Sequence, residues 1–456
     1  MSIAHQIDRA LVQLSNLIEK LRACMGRDAS SESELNPDFV HFQRGRLGGL
    51  ALSGDEIQLY RACVEGIASV HEQIPEEPLL SRRAAASLVE VTTLRALNLR
   101  RVGADGRIER TPAFVRRLGR ELANLRKTLM APPTDWTLTV PVGGFALTGL
   151  PFRMGRVEFD QGTPQAAREL AKCVPGVRRG PRMSAKRAAA EHKARSDHRM
   201  RIVSDFTGAV IATVRVRALD EEAATSLGVL RIREAIDVIN FFAPYFHKIP
   251  SKHRAFVAPE GERVGMPYLL RPVEGDRSLW GHWSSDSPPV AMISPSSPRA
   301  AEIGLERANE ILERERLSDL DRRVINAMRW AGRASVEARR EQAFLLFAIA
   351  LEALLANARA RGGMTDRLRL RAAHLIGLRP DTRKQVADWI TDLFRIRGEI
   401  VHAGTSTELA ESDLKLLRNL VQHALTSFLK SVRFEGMTTA AEFERWLDDQ
   451  ALAGGQ

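Results

Sequence analysis

From Ile3 to Cys24 apolar residues recur at the three- and four-residue spacing that gathers them on one face of a helix, and the pattern returns over residues 55–74, 82–100 and 112–130. Gly-, Ser- and Asp-rich breaks separate these runs, so residues 1–130 read as a helical region that Pro132 and Pro133 close. The character then changes. "DWTLTVPVGGFALTGLPFRMGRVEFD" (135–160) is rich in β-branched residues, glycines and short alternations, which predict strands and turns. A further strand over 208–218 leads through Asp220, a suitable N-cap, into a helix over 221–242. Strand-like pieces resume at "RAFVAP" (254–259) and "PYLLRPV" (267–273), and the Pro/Ser-rich stretch 284–300 reads as a linker. From about 300 to 433 the helical pattern returns, and a short helix at 439–452 ends the chain.

The expectation is an α+β protein, mainly α. It divides into a helical N-terminal region (1–130), a mixed α/β domain (131–290) with a basic loop at 176–201, a helical domain (291–435) and a tail helix (436–456).

One position breaks the pattern. Advancing 100° per residue through "VADWITDLFRIRGEIVHAG" (386–404) from Ile396, the residues Trp389, Leu393, Ile400, Ile390, Val401 and Phe394 fall between about 20° and 160°. Asp388, Thr391, Asp392, Arg395, Gly398, Glu399 and His402 take the opposite arc. Arg397 lands near 100°, among the hydrocarbons, where a charge is costly unless it is paired. About forty-five residues upstream, the nearly all-apolar run "FLLFAIALEALLA" (344–356) is interrupted once, by Glu352. Two ionisable groups on the apolar faces of two helices predict a mutual ion pair.

With 456 residues and 44% hydrophobic content the chain has room for two to four ordinary cores, and 6% aromatic residues means cores of Leu, Ala, Val and Ile. A net charge of +11 favours polyanion partners, although an Arg-rich coding bias would give the same balance. The three cysteines (Cys24, Cys63, Cys173) are far apart and form no C-x-x-C pair, which suggests a reducing compartment rather than disulfides or zinc. The first residues form a charged amphipathic helix without a signal-peptide core, and the most apolar run is too short to span a bilayer. A soluble cytoplasmic protein without membrane contact is therefore expected.

The run 176–201 holds nine Lys/Arg against two acids, including Arg178, Arg179, Arg182, Lys186 and Arg187. It reads either as a solvated loop or as an arm that follows phosphates, since Lys/Arg clusters without interleaved aromatics bind backbone charge. Its His192 and His198 are not supported by thiol or carboxylate neighbours as metal ligands. Trp280, His282 and Trp283 in "LWGHWSS" suit a base-stacking platform or, more ordinarily, an aromatic turn over a core. Phosphate-loop, dinucleotide, zincin and nucleophile-elbow patterns do not occur, so no cofactor and no metal are expected.

What remains is Arg397, four residues, then His402. Together with "FAIALEALLANA", "RLRLRAAHLIGL", "VADWITDLFRIRGEIVHAG" and "LKLLRNLVQHALTSFL", this resembles the HEPN domain (higher eukaryotes and prokaryotes nucleotide-binding), in its Apea-like branch, over roughly residues 335–430. Arg397 and His402 match the family's Arg–x(4–6)–His residues, and Glu352 matches the acidic position of its first helix. Where many active members carry a polar residue after the arginine this chain has Gly398, and Ala403 stands before Gly404. The resemblance implies a helical domain with a metal-independent endoribonuclease site, often at a homodimer interface, in a toxin or antiviral defence effector. It also leaves open a non-catalytic module that binds RNA or dimerises.

The residue types suit that chemistry. Attack by a ribose 2′-OH needs a proton acceptor that titrates near neutrality, which His402 supplies, and the phosphorane needs a permanently charged donor such as Arg397. Residues five apart are about 140° out of phase, so the helix is expected to end between them, or the site to combine two chains. Arg395 and Glu399 are supporting candidates, because Arg395 precedes His402 by seven residues and shares its face.

Overall fold

The computed structural model describes residues 3–24, 40–43, 49–52, 55–71, 80–97, 110–142, 145–147, 151–174, 185–246, 265–272, 279–284, 291–293, 297–314, 316–337, 339–356, 364–403 and 409–453. It is mainly helical with a smaller β component. Its contacts group the chain into two compact units, residues 1–137 with 216–228 and 272–275, and the remainder.

The first unit is built on four helices, α1 (Ile3–Cys24), α2 (Asp55–Ala68), α3 (Arg82–Leu97) and α4 (Pro112–Leu129), close to the expected spans. Their apolar faces meet in one core around Ile7, Leu14, Leu17, Ile18, Ile67, Val89, Phe114 and Leu125. Thr111 caps α4, accepting from the Phe114 amide at 3.2 Å, and Pro112 opens it with a backbone angle already suited to a helix. The sequence missed an antiparallel hairpin, β1 (Val40–Gln43) with β2 (Gly49–Leu52), inside this helical region. Four-residue strands are too short to declare a period of two.

Asp220 is the N-cap the sequence suggested for α7 (Glu221–Phe242): its Oδ1 accepts from the Glu222 and Ala223 amides at 2.9 and 3.0 Å. The same carboxylate accepts from the Ser81 amide and hydroxyl at 2.9 and 3.1 Å, and the Ser81 hydroxyl accepts from the Ala84 amide at 3.0 Å. Two helix starts are thus tied to one side chain.

A six-stranded sheet runs through β3 (Thr134–Val142), β5 (Phe152–Met154), β6 (Val157–Gln161), β7 (Val210–Ala218), β8 (Gly265–Pro272) and β9 (Leu279–Ser284), in the order β5-β6-β7-β3-β8-β9. β6 pairs antiparallel with both β5 and β7, and β9 antiparallel with β8. Trp280, His282 and Trp283 therefore lie in a strand, not in the aromatic turn expected of them. Strand β10 (Ala291–Ile293) pairs parallel with β4 (Phe145–Leu147), so part of the expected linker is ordered structure. "RAFVAP" lies outside the described residues.

Helices α5 (Pro164–Lys172) and α6 (Ala185–Phe206) pack through Ala167, Ala171, Val174, Ile202 and Phe206. Positions 176–184 lie outside the described residues, and α6 corrects the basic-loop expectation over 185–201. Its Ala, Arg, Lys and Glu residues are strong helix formers, and Ile202 and Phe206 give the segment a buried face.

The C-terminal helices are α8 (Pro298–Glu302), α9 (Leu305–Glu313), α10 (Asp319–Val336), α11 (Arg340–Leu355), α12 (Met364–Ile376), α13 (Pro380–Ala403), α14 (Glu411–Lys430) and α15 (Ala440–Ala453). Ser318 and Asp321 form a capping box at the start of α10. Short connections make α10 and α11, and again α12 and α13, packed neighbours. α10 also lies backbone-close to α7: a Cβ built on Gly332 would stand 1.7 Å from the Asp237 carbonyl oxygen. Arg329–Glu234 and Arg333–Asp237 ion pairs, each 2.8 Å, flank that contact. The final helix, α15, packs on α10 and α12. Its Phe443 and Trp446 join Phe428 and Phe434 in an aromatic cluster with ring centroids 5.0–5.2 Å apart.

Candidate functional site

α11 and α13 carry the residues the sequence singled out. α11 buries Phe344, Phe347, Ala348, Leu351, Leu354 and Leu355, and Glu352 sits one step from that face near the helix C-terminus. α13 buries Val386, Ile390, Leu393, Ile396 and Ile400. Arg397 lies on this stripe, and its Nη2 stands 3.4 Å from Glu352 Oε1. The predicted ion pair is present, but it is half-buried: the side chains are 34% and 21% exposed. The two groups reach each other with one atom apiece, and Arg397 Nε is buried without a hydrogen-bond partner among the described residues. Burial pushes the Glu352 carboxyl above the usual glutamate range, and the adjacent guanidinium only partly opposes that.

His402 is exposed in the last turn of α13. The helix does not end between Arg397 and His402, the first of the two expected arrangements; it runs through Gly398 to Ala403, which leaves a site combining two chains as the other. A glycine inside a helix costs only about 1 kcal/mol, and burial of Ile396 and Ile400 on either side holds the segment in register. Arg397 and His402 therefore stay about 140° apart around the axis and about 7.5 Å along it. The cation on the histidine's face is Arg395, about 20° away in phase and about 10.5 Å along the axis. Arg395 is engaged with Glu399, Nη1 to Oε1 at 2.6 Å. Val401, expected on the apolar arc, is 50% exposed because the packing runs out at the helix end.

Of the residues proposed for RNA, Arg178, Arg179 and Arg182 lie outside the described residues, and Lys186 and Arg187 fall in the first turn of α6. Among the described residues no three His, Cys, Asp or Glu side chains are grouped to hold a metal ion, and no helix is long and apolar enough to cross a membrane.

The structure adds a second buried arginine. Arg371, 2% exposed on α12, makes a bidentate pair with Asp448 of α15 (Nε–Oδ1 and Nη2–Oδ2, both 2.8 Å) and donates to the Leu355 carbonyl at 2.8 Å. Glu444, 7% exposed, stands 3.5 Å from Arg371 and 2.7 Å from Arg323 of α10. Burial pulls the Arg371 pKa down, and the Asp448 and Glu444 carboxylates more than offset it, so the guanidinium stays charged. The signal that exposed Arg397 was available here too: Arg371 falls within about 60° of Leu368 and Leu375 on the helical wheel, as Glu444 does of Ala440 and Leu447. This network fastens α15 to α10, α11 and α12 and so supports the frame that holds Glu352 opposite Arg397.

No protein-family model, curated protein or solved structure matches this chain.

Proposed function

We propose that the helical domain containing α11 and α13 is a metal-independent endoribonuclease of the HEPN type. The observation that carries the reading is the Glu352–Arg397 contact across α11 and α13, with His402 exposed one turn beyond it. This matches, residue for residue, the acidic position and the Arg–x4–His pattern in which the resemblance lies. In the proposed reaction His402 takes the proton from a ribose 2′-OH, and the freed oxygen attacks the adjacent phosphorus. The bond to the 5′-oxygen breaks as that oxygen takes a proton from water, and His402 returns its own to solvent, giving 2′,3′-cyclic phosphate and 5′-hydroxyl ends. Guanidinium groups stabilise the phosphorane.

Because Arg397 and His402 diverge on one continuous helix, a second copy of the chain would bring its own guanidinium to the histidine. A homodimer is therefore part of the proposal. The same divergence favours the competing reading, a HEPN-type module that binds RNA or dimerises without cleaving. One experiment separates the two: purified protein incubated with mixed RNA, with and without EDTA, beside a His402→Ala variant. Cleavage that survives EDTA and is lost in the variant supports the nuclease, and a variant that cleaves as well as the wild type removes His402 from the site. RNA bound and never cut supports the module.

A further inference from the structure

We propose that the outward face of α4 is a second polyanion surface that follows the sugar-phosphate backbone of single-stranded RNA. The choice of RNA as the polyanion rests on the ribonuclease proposal. The buried side of this helix is fixed by Phe114, Leu118, Leu125 and Leu129. Opposite it, Arg116, Arg120 and Lys127 fall within about 40° of one another, at rises of about 6 Å and 10.5 Å. All three are exposed, with Gly119 and Ala123 between them, and a Cβ on Gly119 would meet nothing within 4 Å. Long cations beside small residues let a phosphate backbone approach the helix closely.

Charge balance sets this helix apart. Its only acid, Glu121, is 7% exposed and contacts Arg120 at 3.2 Å. Asp8 of α1 is taken by Arg126, which lies off the stripe, at 3.0 Å. Arg116 and Lys127 meet no carboxylate among the described residues. The outward face of α13 shows the contrast, mixing Lys384 and Arg395 with Asp381, Asp388, Asp392 and Glu399. α3 extends the patch: Arg117 Nε donates to the Ala96 carbonyl at 2.6 Å, which brings the last turn of α3, with exposed Arg95, beside α4. An acidic membrane fits less well, because Phe114, Leu118, Leu125 and Leu129 are spent in the core, and Val115 and the C-cap Met130, 48% and 47% exposed, are too few to make an apolar face beside the stripe.

The test uses the full chain and a fluorescein-labelled 2′-O-methyl RNA 20-mer, which cannot be cut through its 2′ position. Anisotropy titrations over a range of salt compare wild type, Arg116→Gln/Lys127→Gln, and Lys384→Gln/Lys430→Gln, which loses the same charge elsewhere. The α4 variant should bind at least about tenfold more weakly, with a log–log salt slope shallower by about 1.4 for two lost contacts. Equal behaviour of the two double variants overturns the proposal. So does an α4 variant that keeps RNA affinity and loses only sedimentation with phosphatidylserine vesicles. The probe cannot be cut and the readout is binding, so a failure of the nuclease reading leaves this result standing.

Discussion

Glu352 Oε1 stands 3.4 Å from Arg397 Nη2, and the carboxyl of that pair is harder to ionise than an ordinary glutamate because its burial outweighs the arginine's attraction. The contact is long for a charge-assisted hydrogen bond and its partners are not fully desolvated. A double-mutant cycle of Glu352→Gln and Arg397→Gln, read by urea unfolding, should return a coupling of about 1 kcal/mol, between the exposed and fully buried cases. A coupling indistinguishable from zero would show that the two groups are neighbours without interaction.

The raised carboxyl has a pH consequence of definite sign. The folded chain holds the Glu352 proton more tightly than the unfolded chain, so this group's contribution is fully present below the unfolded pKa. It is lost as pH rises through the folded value. Wild-type stability relative to Glu352→Gln should therefore fall across that window, upward from the ordinary glutamate range, and stay level above it. Parallel melts of both proteins from pH 4 to 8 check this; a difference that grows with pH contradicts it.

Arg371 is the more consequential arginine for the fold. At 2% exposure it satisfies Asp448, Glu444 and a main-chain carbonyl together, and Arg371→Ala would take the bidentate partner from Asp448 and the donor from the Leu355 carbonyl, and leave Glu444 to Arg323 alone. The expected loss is on the order of 3–5 kcal/mol. Arg371→Lys should recover little of it, since an ammonium cannot make the bidentate pair. Chemical denaturation of both variants gives the comparison.

His402→Ala should separate chemistry from folding. The side chain is exposed, so the melting temperature should move little, while RNA cleavage should drop by about two to four orders of magnitude. DNA, which lacks the nucleophile, should survive the wild-type protein in the same gel assay.

Gly332→Val tests the close approach of α7 and α10. A Cβ there would meet the Asp237 carbonyl oxygen at 1.7 Å, a distance that only backbone movement can relieve. Destabilisation of about 3 kcal/mol or more is expected, measured by thermal melting, with the flanking Arg329–Glu234 and Arg333–Asp237 pairs weakened as the helices part.

The sequence by itself determined the long elements and one contact. α1, α4 and α13 are read directly from a 3.6-residue period, because each turns one apolar face to a core. A charge on such a face needs a partner, so Arg397 pointed to Glu352 across about forty-five residues. Arg371 and Glu444 gave the same signal. Helix phase alone does not say which charge of one helix meets which charge of another, and only packing united them with Arg323 and Asp448. The hairpin of β1 and β2, the pairing of β10 with β4 and the docking of α6 on α5 were likewise decided by tertiary structure. Three- and four-residue strands carry no usable period, and a highly charged segment becomes a helix once a neighbour covers Ile202 and Phe206. The end of α13 was decided the same way: Gly398 permits a break, but the burial of Ile396 and Ile400 outweighs the cost of a helical glycine. That leaves Arg397 turned to the core and His402 to solvent.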